Sequence, residues 1–204
     1  MRARVSGILC RSGSSLRADE RGTTAVEFGM VATPFFMMLF GIISVGFYFF
    51  TTFTLENAVE GAARLIRTGQ MQTVTSSGSP ATYAYPASIS AVCASSDALD
   101  VCFKKQVCAH LPTYVDCANK VRVNVQSFTD FASVTTASCL NGSGALVANS
   151  ATTFSAGTAS QVVLVSACYE WALAGQMPFL KLGHMSNGSA LIQAATTFMT
   201  EPYN

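Results

Sequence analysis

The chain has 204 residues, half of them apolar and only 11% charged, with a formal net charge of +1. Five of the 12 basic and two of the 11 acidic residues fall within the first 22, so the remainder carries −2 and has no cluster of Lys and Arg with which to neutralise phosphate; nucleic-acid binding has no support. Outside one stretch no segment reaches about 18 apolar residues, so the positive mean hydropathy of +0.38 reflects one span and a Ser/Thr/Ala-rich remainder.

The first 22 residues hold Arg2, Arg4, Arg11, Arg17 and Arg21 against Asp19 and Glu20, a net +3 directly before a long apolar run. By the positive-inside rule this end is cytoplasmic, and everything after Phe53 faces the periplasm or exterior. Phe28 to Phe53 are 26 residues without Asp, Glu, Lys or Arg. At about 1.5 Å per residue they exceed a hydrocarbon core of about 30 Å, which predicts a membrane-spanning helix. A secretory signal peptide is the competing reading, but its apolar region is only about 7–15 residues long and ends in a small-residue cleavage site.

Glu27 stands at the entrance to the span, where a carboxylate costs about 2.5–3.5 kcal/mol near the bilayer centre and less at the edge. No Lys or Arg of the same helix lies within one or two turns on its lipid side, so its partner is expected from elsewhere; a new N-terminal ammonium would serve. Arg21-Gly22 followed by Thr23-Thr24-Ala25-Val26-Glu27-Phe28 resembles the recognition site of a prepilin peptidase, which in that family cuts after the glycine. The resemblance implies that Thr23 becomes the mature N-terminus, often N-methylated in the family, and that Glu27 and the aromatic Phe28 serve assembly. Physical chemistry agrees: a small residue lets a protease close on the backbone, and a buried Glu can neutralise the terminal amine of a neighbouring subunit. The alternative is an ordinary single-span anchor whose Glu27 lies in the headgroup layer.

Within the span, Pro34 removes one helix hydrogen bond and predicts a kink about three turns after the cut. Gly29, Gly41, Gly46 and Ser44 give small surfaces that let helices approach closely in lipid. Past the membrane, Leu55, Ala58, Val59, Ala62, Leu65 and Ile66 recur at helical spacing, with Glu60 and Arg64 expected to pair across one turn. One helix is predicted from about Thr24 to Thr68, apolar all round in its lipid half, amphipathic in its outer half and stopped by Gly69. Ala62-Ala63-Arg64 and Thr68-Gly69 after such a helix are similar to the TadE-like minor pseudopilins of tight-adherence (Tad/Flp) systems, a type IV pilin-like family whose major pilins are much shorter.

Residues 70–90 are rich in Ser, Thr, Gly and Pro and read as a loop. A second helix follows, with Ser96 and Asp97 as candidate caps, a stripe of Leu99, Phe103, Val107 and Leu111, Lys104 and Lys105 towards its end, and Pro112 closing it. Val121, Val123 and Val125 alternate with Arg122, Asn124 and Gln126, as in a half-exposed strand. Gln161 to Tyr169 is nearly all apolar and predicts a central, covered strand; Ala190 to Met199 predicts another, ending at Glu201-Pro202-Tyr203. The terminal Glu-Pro-Tyr also resembles the TadE-like tail, although Thr200 stands where a polar amide is expected. Residues 129–160 carry one charge, Asp130, and read as a long surface loop.

The expected architecture is therefore α+β: a leader (1–22), a transmembrane and amphipathic helix (23–69), and an exported domain (70–204) with an antiparallel sheet, pilin-like on the resemblance. Of seven cysteines only Cys10 precedes the span. Cys93, Cys102, Cys108, Cys117, Cys139 and Cys168 all lie on the exported side, which favours up to three disulfides, and six cysteines allow fifteen pairings. The preferred set is Cys108–Cys117 across the Leu111-Pro112 turn, Cys93–Cys102 locally, and Cys139–Cys168 tying the long loop to the central strand. Cys108 through Cys117 resembles a paired-cysteine segment of the TadE-like family, which sets that pair ahead of the others.

No C-x-x-C is present, which argues against a zinc knuckle or a thiol oxidoreductase. Neither His110 nor His184 has a Ser or Asp constellation around it, so no catalytic residue and no cofactor is expected. The Asn-Gly-Ser sequences at Asn141 and Asn187 match turns, and Tyr169 and Trp171 read as core aromatics. Taken with the resemblance, the chain reads as a minor pseudopilin of the bacterial inner membrane, cut by a prepilin peptidase, with pilins, pseudopilins, an inner-membrane assembly platform and lipid as partners. The competing function is an uncleaved single-span envelope protein whose periplasmic domain binds a ligand or cell-wall polymer.

Overall fold

The computed structural model describes residues 21–176 and 182–202. Leader residues 1–20, Cys10 among them, the Lys181 of the Lys-Leu-Gly-His turn and the terminal Tyr203 lie outside these residues. The chain divides into two compact units, residues 1–45 and 46–204.

In the first unit the described residues form the N-terminal part of helix α1 (Arg21–Arg67), which continues through Pro34. Its side chains are exposed almost throughout, Phe28 at 72%. Such exposure of Phe, Met, Ile and Val does not suit water, and the segment is the described helix long and apolar enough to cross a bilayer. Aromatics one turn apart stack on its surface, Phe36 on Phe40 at 6.3 Å. The Thr33 hydroxyl donates to the Gly29 carbonyl at 2.7 Å.

The second unit begins at Gly46, well before residue 70, because the outer half of α1 is itself part of the domain core. Leu55, Ala58, Val59, Ala62 and Ile66 are fully buried, as their spacing requires, and Leu65 is half-buried. Gly69, at φ 76°, ends the helix in a conformation that only glycine adopts freely, and its N–H donates to the Ile66 carbonyl. Glu60 and Arg64 form no ion pair. Both are exposed, where such a pair contributes only about 0.3–0.5 kcal/mol and does not hold two long side chains together.

Residues 70–90, read as loop, contain a small antiparallel hairpin, β1 (Thr75–Ser77) with β2 (Thr82–Ala84), and a single turn of helix, α2 (Ala87–Ser90). The second full helix, α3 (Leu99–Ala109), buries Phe103 and Val107 as its stripe predicts. Its cap differs from expectation: Ala98 holds the N-cap without a side-chain bond. Asp97 instead accepts from the Ala94 N–H and pairs with Lys105 at 2.7 Å. A short α4 (Cys117–Lys120) is capped by Asp116, which accepts from the Asn119 N–H.

The main sheet has three antiparallel strands, β3 (Val121–Phe128), β4 (Val162–Trp171) and β5 (Ala190–Met199), with β4 in the middle. Val121 lies opposite Tyr169, and Ala190 opposite Trp171. Alternation sorts the strands into two faces. Val121, Val123, Val125, Val163, Val165, Ala167, Tyr169, Trp171, Ile192 and Ala194 join the α1 and α3 stripes in one core.

Residues 129–160 cover the opposite face. Arg122 Nε donates to the Val147 carbonyl at 2.7 Å, the Thr153 N–H donates to Asn124 Oδ1 at 2.8 Å, and Cys139 is joined to Cys168. Asn124, expected outward in water, is therefore buried at 4% exposure. Covering on both faces also explains why β4 reads as a continuous apolar run. The other disulfides are Cys93–Cys102 and Cys108–Cys117, each of sequence separation 9.

Candidate functional site

The residues singled out for processing and assembly fall in the first two turns of α1. Gly22 and Thr23 occupy the first turn, and Glu27 follows Thr23 by four residues, which sets the two on one helix face. Gly22, Thr23, Glu27 and Phe28 are all exposed. Among the described residues Glu27 forms no ion pair, so a partner for its carboxylate has to come from outside them.

Gly22 is the second residue of the described helix. A Cβ built there meets no described atom within 4 Å, so packing does not account for the glycine. The same holds for Gly29 and Gly46 further along α1. Gly61 differs, since its Cβ would sit 3.3 Å from the His110 ring at the end of α3, where close packing of helix on helix is the reason.

At the start of the second unit an aromatic cluster surrounds α1. Phe47 lies 5.2 Å from Tyr114 and 6.3 Å from Trp171, and Tyr48 meets the Trp171 ring edge-on at 5.4 Å. The Tyr114 and Thr51 hydroxyls are 3.4 Å apart. Trp171 and Tyr169 are core residues, as their position at the end of the central strand implied. Phe47, Tyr48 and Thr51, inside the apolar run of the sequence, thus serve the folded domain rather than lipid. The apolar character of the run alone did not reveal that division.

Elsewhere the domain holds a cavity of about 590 Å³ between α3, β3 and residues 149–154, floored by Phe103, Val123 and Phe154. Lys104 lies at its edge, donating to the Ala118 carbonyl and to Asn149 Oδ1. Burial, and then the Arg122 guanidinium, lowers its affinity for the proton. The two Asn-Gly-Ser asparagines are engaged in turns: Asn141 Oδ1 accepts from the Ser143 and Ala145 N–H groups, and Asn187 Nδ2 donates to Glu170. His184 is exposed in the turn before β5.

Among the described residues, one exposed apolar helix continuing into a disulfide-bonded α+β domain is consistent with the class of single-pass membrane proteins. Within that class, residues 22–64 match the family model described as TadE-like protein, from Gly22 through the outer half of α1 to Arg64. The chain thus carries a TadE-like N-terminal segment, which points to a protein associated with tight-adherence pili. No curated protein and no solved structure matches the chain.

Proposed function

We propose that the protein is a minor pseudopilin, cleaved between Gly22 and Thr23 by a prepilin peptidase and required to assemble or prime a tight-adherence pilus. The observation that carries this proposal is Gly22 itself, an exposed glycine in the first turn of α1 with no described neighbour that demands it, directly before Thr23 and five residues before the carboxylate of Glu27. A protease that closes on the backbone accounts for the glycine, and the amine it releases at Thr23 accounts for the carboxylate. In this mechanism the apolar helix holds the subunit in the inner membrane until assembly. Glu27 then neutralises the amine of a neighbouring pilin or pseudopilin, Phe28 packs between helices, and the assembly platform draws the subunit out of lipid.

The test is the intact mass and N-terminal sequence of the membrane-extracted chain from cells with and without the candidate peptidase. A chain that begins at Thr23 only when the peptidase is present supports the proposal. One that begins at Met1 in both overturns it in favour of an uncleaved envelope protein, for which the cavity beside Lys104 is the site to probe for a ligand. Glu27→Ala is expected to abolish or strongly reduce pilus yield while leaving membrane insertion intact; an unchanged yield sinks the pairing of Glu27 with an amine.

A further inference from the structure

β5 is an edge strand, and its own sequence holds none of the devices by which edges are usually protected. Its ten residues, ALIQAATTFM, include no charge, no proline and no glycine, and its register with β4 runs unbroken from Ala190 to Met199. Among the described residues, no backbone or side-chain hydrogen bond reaches Leu191–Phe198 other than the ladder to β4. The opposite edge is treated differently. On β3, the Val125 N–H donates to the Thr153 carbonyl and the Val125 carbonyl accepts from the Ser155 N–H, so residues 153–155 close that side. The end of β5 is also held in place, with the Thr200 N–H donating to Gln161 and the Glu201 N–H to Arg67, so the open edge is fixed rather than frayed.

A second feature runs alongside. Two concave spots follow the edge, one of about 100 Å³ bounded by Glu56, Glu60 and Ala194–Thr196, the other of about 390 Å³ bounded by Glu60, Arg64, Arg67 and Thr196–Phe198, so that Glu60 borders both. Consecutive strand residues point to opposite faces, so lining by three in a row puts each hollow at the rim of the sheet. The α1 side of this rim reads acid, acid, base, base. All four side chains are exposed, and only Arg67 has an ion-pair partner among the described residues, Glu201 at 3.7 Å.

We propose that the β5 edge and the charged row of α1 form a docking site for an extended strand of a second protein, one with a basic and an acidic side chain on the same face. Backbone hydrogen bonds along β5 supply the pairing, and the charges set its position. The basic residue lies over Glu56 and Glu60, the acidic one over Arg64 and Arg67. The centres of the two blocks are about 11 Å apart along the helix, which an extended chain covers in three to four residues; only an even spacing keeps both side chains on one face, so the spacing is four. A second copy of this chain does not fit as the donor through its own edge, because β5 carries no charge to offer.

The test uses the full-length chain in detergent micelles and fluorescent nine-residue peptides of alternating Thr and Val. One peptide has a lysine and a glutamate four positions apart, a second has both replaced by glutamine, and a third is the first with N-methyl groups along its pairing edge. The charged peptide is expected to bind about three- to tenfold more tightly than the neutral one, as two partly exposed ion pairs allow. Neutralising Glu56→Gln and Glu60→Gln together, which touches only exposed side chains, cuts the preference for the charged peptide to about two- to threefold, the share of the ion pair that remains at Arg64 and Arg67, and the N-methylated peptide does not bind. No binding, equal binding of charged and neutral peptides, or indifference to N-methylation overturns the proposal. So does self-association that cross-links Thr196→Cys to its counterpart in a Cys10→Ser chain and shuts the peptide out, which would make a second copy the occupant. None of these outcomes depends on whether the chain is cut at Gly22.

Discussion

Asp97 shows how a single side chain can be read correctly for polarity and wrongly for role. A Ser-Asp pair before an apolar stripe is an ordinary helix start, yet Ala98 takes the cap, in extended geometry at φ −68° and ψ 159°. Asp97 turns back to the Ala94 N–H and across to Lys105. The Lys105 hydrogen bond, and then the Ala94 N–H, hold its carboxyl below the ordinary 3.8. A depressed carboxylate stabilises the fold above its unfolded value, and the contribution is lost as pH falls through the lower folded value. Asp97→Asn should therefore lower the thermal midpoint at neutral pH, and the gap from the unsubstituted chain should narrow as pH drops below 3.8; thermal unfolding of both chains across that range checks it. Nearby, burial, and then the Asp97 charge, pushes the Tyr85 hydroxyl up to about 12, while that hydroxyl donates to the Asp97 carbonyl at 2.7 Å.

The elements with strong periodicity were legible: the buried stripe of α1, the face of α3 with Phe103 and Val107, and all three strands of the main sheet. The hairpin of β1 and β2 was not, because three-residue strands of TSS and TYA, mostly exposed, show no alternation to detect. Nor was the task of residues 129–160. That stretch covers a sheet face largely through backbone groups and short polar side chains, and neither has a hydrophobic period. Its disulfide matters for that reason. In the chain-entropy picture the Cys139–Cys168 bridge, with separation 29, stabilises by about 3–4 kcal/mol, against about 2–3 kcal/mol for Cys108–Cys117 with separation 9. Replacing Cys139 and Cys168 together by alanine should cost more than replacing Cys108 and Cys117, as read from denaturant midpoints. Equal losses would mean that the 129–160 layer holds to the sheet without its bridge.

For the whole molecule, the cysteine distribution gives a test of topology and processing at once. Six cysteines are bridged in the second unit, and the seventh, Cys10, precedes the apolar run in sequence. A membrane-impermeant maleimide should label no thiol of this chain on intact cells. After permeabilisation it should add one label to each uncut chain and none to a chain that begins at Thr23. Candidate processing residues were legible because they cluster in one short motif, whereas the β5 edge site emerges only from the sheet order, since nothing in ALIQAATTFM states which side lacks a neighbour. The core also imposes a timetable on the newborn chain. The first helix to emerge contributes Leu55 through Ile66 to a core that is completed by Ile192 and Ala194, more than 120 residues later. Contacts so distant in sequence form slowly, because a long loop must close before they are rewarded. The two bridges of separation 9 can be oxidised while the strands are still arriving, but the α1 stripe must wait, uncovered, until nearly the whole chain has been made.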